Sequence, residues 1–338
     1  MSIPKAADEN VSIIDIARMA GVSTATVSRV INKSGRVSGK TEKRVNDVIA
    51  ACGYVPSLAA RGMRSSRLPI IGLIIPSVKN EYFSDLATVL QNLFMERGYY
   101  VLLCTTENDT KVEADTVKML VAQHVSGLVV ISKDKVPDCI PTTIPTVCID
   151  CLPNRPLDAT IARVESDNRK GGYLATRELI DRGCREIVLF TGSAEAFTAR
   201  ERTQGYFTAL MEAGIQIDLR RVFYFRSYDY DNGARLAQEL IHSGVTYDGI
   251  FAICDYVLQG SLDMLIEQGI RVPEDVRVCG FDDLYMAQLA GRKLTTIHQD
   301  TSQVASATAN LLTQMINGED PVQKEITIPI HLIRRATT

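Results

Sequence analysis

From Ile70 onward the chain alternates short, wholly apolar runs with helical stretches, and this rhythm constrains the fold more than any other feature. IIGLIIP is followed by a helix predicted from about Glu81 to Arg97, which Gly98 closes. YVLLCT, a helix over Lys111–His124, GLVVIS and PTVCID come next. After Glu165 the rhythm restarts, with helices over Asn168–Arg182, Thr198–Ala213, Tyr230–His242 and Tyr256–Gln268 between the strands IVLFTG, VFYF, GIFAI and VRVCGF. Strands that are apolar at every position are buried on both faces, as in parallel sheets covered by helices. Two such runs of similar length predict two doubly wound α/β subdomains with a cleft between them.

The stretch Val11–Pro56 obeys a different rule. Ser12 is placed to cap a helix, with Asp15 three residues on and Ile16, Ala17 and Ala20 as its apolar stripe. Gly21 breaks that helix and Ser23 caps a second at once, which describes a helix-turn-helix. Val22, Val27, Val30 and Ile31 form the inner face of the second helix, leaving Thr24, Ala25, Ser28, Arg29 and Asn32 outward. Such a helix enters the major groove, where Arg29 can bond a guanine edge twice and Thr24 and Ala25 can meet base edges and thymine methyls. Ser38 caps a third helix, with Val45, Val48, Ile49 and Cys52 inward and Gly53 ending it. A plain three-helix bundle with a solvated polar face is the bland alternative, and the order of cap, turn and helix disfavours it.

Charge agrees with this division. The whole chain has a net charge of -3, but residues 1–67 hold eleven Lys or Arg against five Asp or Glu, a net of +6, so the remainder carries -9. A basic head on an acidic body is the pattern of a nucleic-acid-binding module joined to something else. No apolar run approaches the ~20 residues of a membrane span, and MSIPKAADEN lacks the basic start and apolar core of a signal peptide. A cytoplasmic location is therefore expected, with the eight cysteines reduced. Cys148 and Cys151 form a C-x-x-C with no second pair, and TVCIDC reads as a strand end, so two ordinary thiols are expected rather than a metal or redox centre. There is no G-x-S-x-G, no P-loop and no G-x-G-x-x-G at a strand end, and His124, His242, His298 and His331 have no metal spacing. An enzyme is not expected, nor a cofactor.

GVSTATVSRVIN, followed by VSGKTEKRV and YVPSLAARGM, closely resembles the lactose-repressor (LacI/GalR) family of bacterial transcription regulators, and the resemblance runs through essentially the whole chain. It implies an all-α helix-turn-helix head at 1–56, a hinge helix or linker at 57–68, and a periplasmic-binding-protein-like α/β core at 69–338. The first core subdomain would comprise about 69–165 and 300–327, and the second about 166–299 and 328–338. LTTIHQD would cross between them, Thr301–Asn317 would be a helix of the first, and ITIPIHLIRR a last strand. The same resemblance adds Lys40, Thr41 and Tyr54 to the DNA-binding set of Ser12, Ser23, Thr24, Ala25, Ser28, Arg29, Asn32 and Ser38. It also implies that the hinge helix wedges the minor groove open with an apolar side chain. Family members usually have Leu at the wedge and Asn after the Pro, where this chain has Met63 and Ser57. The chain stops at HLIRRATT without added leucine heptads, so a homodimer on a pseudo-palindromic operator is expected.

Ligands of doubly wound sheets sit beyond the carboxyl ends of the strands. The residues placed there are Tyr82, Phe83, Asp150, Tyr228, Asp255 and Asp282, with Gln299 on the crossover and Arg200 and Arg202 in TARERTQGY. The second Arg of that motif is the one implied to contact the effector, so Arg202 joins the predicted effector-binding set and Arg200 is expected to be structural. Cys254 stands where Asn is common. One aromatic after a strand is usually core and one Asp there is usually a helix cap, but several together suit hydroxyl groups stacked against rings. ERGYYVLLCTTEND and LTTIHQ resemble the ribose- and purine-repressor branch. A pentose or sugar alcohol is the expected effector, a purine the alternative, and a plain solute-binding protein a further class that the fitted head argues against.

Overall fold

A computed structural model describes residues 11–31, 35–54, 67–289 and 293–338. The chain divides into two compact units, Met1–Leu68 and Pro69–Thr338. The hinge assigned to 57–68 lies largely outside the described residues, as do Asn32, Ser57 and Met63.

The head has helices α1 (Ile13–Ala20), α2 (Thr24–Ile31) and α3 (Gly39–Cys52). Ser12 and Asp15 form a reciprocal capping box at α1, and Gly21 ends that helix with φ 61°, a backbone state glycine reaches without strain. Ser23 accepts the Thr26 N–H at 3.2 Å and Ser38 accepts that of Thr41 at 3.3 Å, so all three serines are helix caps. The core is Ile16, Ala17, Ala20, Val27, Val30 and Val45, with Val22, Ile31, Val48, Ile49, Cys52 and Tyr54 half-buried around it. Ser28 was expected to face outward, but it is buried with 7% of its surface exposed. It sits on the flank of the Val27–Ile31 stripe and is small enough to be covered there.

The second unit is built on two six-stranded sheets. The first takes β1 (Leu68–Ile75), β2 (Tyr100–Thr105), β3 (Val125–Val130), β4 (Thr146–Ile149), β5 (Ile161–Ser166) and β11 (Glu325–Ile328), in the order β11-β5-β4-β3-β1-β2. The second takes β6 (Ile187–Thr191), β7 (Val222–Tyr224), β8 (Gly249–Ala252), β9 (Arg277–Asp282), β10 (Thr295–His298) and β12 (His331–Ile333), in the order β12-β10-β9-β8-β6-β7. The two orders match position for position. β1–β2, β3–β4, β4–β5, β5–β11, β6–β7, β6–β8, β8–β9 and β9–β10 pair in parallel, and β10–β12 pair antiparallel. The helices are α4 (Glu81–Glu96), α5 (Thr110–Ala122), α6 (Asn168–Asp181), α7 (Phe197–Glu212), α8 (Tyr230–His242), α9 (Asp255–Glu267), α10 (Tyr285–Gln288) and α11 (Thr301–Ile316).

Two details differ from the sequence reading. ITIPIHLIRR is two strands rather than one, because Pro329 lacks the N–H that a ladder needs and β11 and β12 join different sheets. IARVES is an additional strand, β5, so the chain crosses between subdomains at three places: after β5, after β10 and after β11.

Helices α6 and α7 approach closely through two glycines. A Cβ on Gly172 would lie 2.0 Å from the Arg202 carbonyl oxygen, and one on Gly205 would lie 2.1 Å from that of Arg169. The opposing atoms are backbone, which cannot swing away. Gly172→Ala is therefore expected to destabilise the second unit by roughly 2–3 kcal/mol in urea titration, as overpacking does. A loss within ~0.5 kcal/mol, the range of an ordinary surface substitution, would show that the two helices separate freely.

Candidate functional site

Between the two sheets, at the carboxyl ends of their strands, lies a cavity of about 710 Å³. Of the predicted effector residues, Tyr82, Phe83, Asp150, Arg202, Tyr228, Asp282 and Gln299 all line it. Asp255 does not. It is fully buried at the start of α9, where its carboxylate accepts from Thr296 Oγ1 at 2.7 Å and the Leu284 N–H at 3.1 Å. It ties α9 to β10 beneath the cleft, and burial with the nearby Asp282 charge pushes its pKa well up.

Asp150 follows β4 and Asp282 ends β9, and these strands hold equivalent places in their sheets. Both aspartates have left-handed backbones, with φ 50° and 115°. Each is held by an amide from the next strand's end. Asn168 Nδ2 donates to Asp150 Oδ1 at 2.9 Å, and Gln299 Nε2 donates to Asp282 Oδ1 at 2.7 Å. The Ser166 N–H and the Tyr82 hydroxyl complete Asp150, at 3.0 and 3.1 Å.

Arg202 lies in the second half and reaches Asp150 of the first only through Asn168. Its Nε donates to Asn168 Oδ1 at 2.8 Å, and its Nη1 donates to the Ile253 carbonyl at 2.6 Å and lies 3.5 Å from Asp282 Oδ1. Its guanidinium stacks 3.5 Å from the centre of the Phe281 ring. Arg200, by contrast, pairs with Asp134 at 3.1 Å.

Burial raises the pKa of Asp150, against the pull of Arg202 and of its hydrogen bonds. Burial likewise moves Asp282 up to about 6, with Arg202 opposing. The hydroxyl of Tyr228, pushed up to about 12 by burial, and Oε1 of Gln299 are both buried without a well-formed hydrogen bond. Phe225 packs edge-on against Tyr228, with ring centres 4.8 Å apart, and Phe83 against Tyr82 at 5.5 Å. The floor is thus polar and charged, the walls aromatic, and unused hydrogen-bonding capacity remains for a polar ligand.

Sequence reasoning missed Asn168, the bridge between Asp150 and Arg202. The available signal was its place just past a strand end, concealed because IARVES was not read as a strand. His298 falls outside the cavity lining and bonds Asp283 at 3.0 Å. Among the described residues no cluster of His, Cys, Asp and Glu is placed to hold a metal, and no helix is long and apolar enough to cross a membrane. In the head, Thr24, Ala25, Arg29 and Lys40 are exposed, Thr41 and Tyr54 half-buried.

Residues 12–57 match the family described as bacterial regulatory proteins, lacI family, and residues 176–338 match a periplasmic binding protein-like domain. A relative named HTH-type transcriptional repressor PurR, from Pasteurella multocida (strain Pm70), is 31% identical over 330 residues, which cover 96% of this chain and 97% of that protein. This chain belongs to the lacI family. The solved structure of a transcriptional regulator CelR–cellobiose complex is 30% identical with a TM-score of 0.73, covering 97% of this chain and all of the other. The lac repressor dimer bound to operator and the anti-inducer ONPF is 25% identical with a TM-score of 0.86, covering 98% and 99%. Family membership makes the chain a DNA-binding transcriptional repressor controlled by an effector, not an enzyme.

The raised pKa of Asp282 has a definite effect on stability. In the folded state this carboxyl ionises near pH 6, against an ordinary value of 3.8. Its protonated form is the favoured one, so its contribution is full below pH 3.8 and is lost as pH rises through 6. Asn keeps the acceptor oxygen and tolerates the positive φ. The stability of Asp282→Asn relative to the parent is thus expected to rise by roughly 2–3 kcal/mol between pH 4 and pH 7 in chemical denaturation. A gap that does not change with pH would show that Asp282 ionises normally.

Proposed function

We propose that this repressor acts in the cytoplasm as a homodimer on pseudo-palindromic operator DNA, and that its effector is a pentose, a sugar alcohol or a related sugar bound in the cleft. The observation that carries the effector reading is the convergence of Asp150, Arg202 and Asp282 on one buried floor beneath aromatic walls. Carboxylates accept from sugar hydroxyls, the guanidinium donates to ring and hydroxyl oxygens, and aromatic faces cover the C–H faces of the ring. The cellobiose complex of the CelR regulator supports a sugar. A purine is the second reading, and the relative named PurR favours it. An aspartate and an arginine suit the polar edge of a base as well as they suit hydroxyls.

On DNA, α2 supplies the contacts. Thr24, Ala25 and Arg29 are exposed on it and available to base edges in the major groove. Ser12, Ser23, Ser38, Lys40, Thr41, Tyr54, Asn32 and Ser57 are assigned to the same surface, with the three capping serines holding the helix ends that face phosphates. Ser28, being buried, would position α2 rather than read bases. Met63 is assigned to the minor-groove wedge. In a dimer two heads occupy half-sites about one helical turn apart.

Thermal unfolding against pentoses, sugar alcohols and purines tests the effector class directly. A ligand at about 100 times its Kd stabilises by roughly 2.7 kcal/mol, so a shift with sugars alone establishes the first reading and one with purines alone replaces it. Arg202→Ala is expected to leave operator binding intact and remove its response to the effector. A normal response would detach Arg202 from the effector site. Arg29→Ala is expected to abolish preference for a symmetric operator while leaving weak, salt-sensitive binding to any duplex. Equal losses on specific and random DNA would take Arg29 out of base reading.

A further inference from the structure

The rim of the cleft has a chemistry of its own. Lys133 lies past the end of β3 in the first subdomain, and Arg226 past the end of β7 in the second, and both line the cavity. They come from different subdomains and share one cavity lining with the buried Asp150, Arg202 and Asp282. Arg226 is exposed. The acidic partner of Lys133 is Glu195, at 3.1 Å, and the Glu195 side chain is 82% exposed, so solvent screens the pair heavily. These cations accumulate against the general charge of the chain, since residues 68–338 carry 26 Lys or Arg (37 less 11) against 35 Asp or Glu (40 less 5). The cavity is lined by three cations, Lys133, Arg202 and Arg226, and two carboxylates, Asp150 and Asp282.

We infer that the cleft takes an anionic polyol, a sugar phosphate or a sugar acid, whose hydroxyls rest on the aspartate floor and whose anionic group is held at the rim between Lys133 and Arg226. This rests on the reading of the cleft as a polyol effector site and narrows its ligand class. A neutral pentose uses the floor alone. An anionic group reaching the rim contacts both subdomains at once, so it favours the closed arrangement of the subdomains more than a neutral sugar can. Glu195 competes with that group for Lys133.

Calorimetry and thermal unfolding of the full chain on matched pairs test this: ribose with ribose 5-phosphate, glucose with glucose 6-phosphate, and glucitol with gluconate. The anionic member of at least one pair is expected to bind about 10-fold more tightly, with an advantage that shrinks as salt rises. The phosphate pairs and the gluconate pair distinguish a dianion from a carboxylate. Lys133→Gln and Arg226→Gln are each expected to weaken the anionic member about 5-fold and leave the neutral one unchanged. Glu195→Gln, which frees Lys133, is expected to tighten the anionic member alone. All three positions lie at the rim or outside it, and melting without ligand verifies their folding. If the neutral members bind as well as the anionic ones, or the rim substitutions affect both alike, this inference falls and the polyol reading stands. If no member of any pair binds, both fall.

Discussion

A single buried guanidinium sets the terms for the centre of this molecule. Arg202 is 5% exposed, and a charge so placed is tolerated only where it is paired and hydrogen-bonded. Asp282, Asn168, the Ile253 carbonyl and the face of Phe281 meet that demand together. Through Asn168 the requirement extends to Asp150, in the other subdomain. Both subdomains are therefore held to one polar floor, and the helix that carries Arg202 must stay close to α6, which Gly172 and Gly205 allow. Removing the arginine would leave two buried carboxylates without their cation, which is why the floor behaves as one unit and not as separate contacts.

Much of this was legible in the sequence because the signals were local. Apolar runs announced most of the buried parallel strands, and Ser12, Ser23 and Ser38 announced helix starts, each of which is a cap. The strand at 161–166 was concealed because Arg163 and Glu165 interrupt its apolar character. Arg163 is nevertheless 9% exposed, paired with Glu165 and Glu325 and stacked 4.6 Å from the centre of Phe197. Partners from distant segments let a charged residue occupy a buried strand, and no local pattern reveals partners. Asn168 was lost with that strand. Asp255 shows the reverse error: its position past a strand end matches that of Asp150, but its carboxylate turns under the sheet toward Thr296. Which way a side chain turns at a strand end depends on tertiary neighbours, so the sequence supplied the candidates and packing selected among them.

The places where the chain crosses between subdomains suggest how a ligand's binding energy reaches the rest of the protein. Asn168 lies at the crossing after β5 and Gln299 at the crossing after β10, and these two amides hold the two aspartates of the floor. A ligand that engages Asp150 and Asp282 thus acts on groups bonded directly to the connecting segments. On the far side of the cleft the subdomains meet through Lys133–Glu195 and Arg200–Asp134, at 3.1 Å each. These pairs are partly exposed and worth little individually, about 0–1 kcal/mol each. Neither an open nor a closed arrangement is then strongly imposed by the protein's own ion pairs, and a ligand with modest differential affinity suffices to choose between them. Because the coupling is a free energy shared by two sites, DNA that favours one arrangement must alter effector affinity by the same factor.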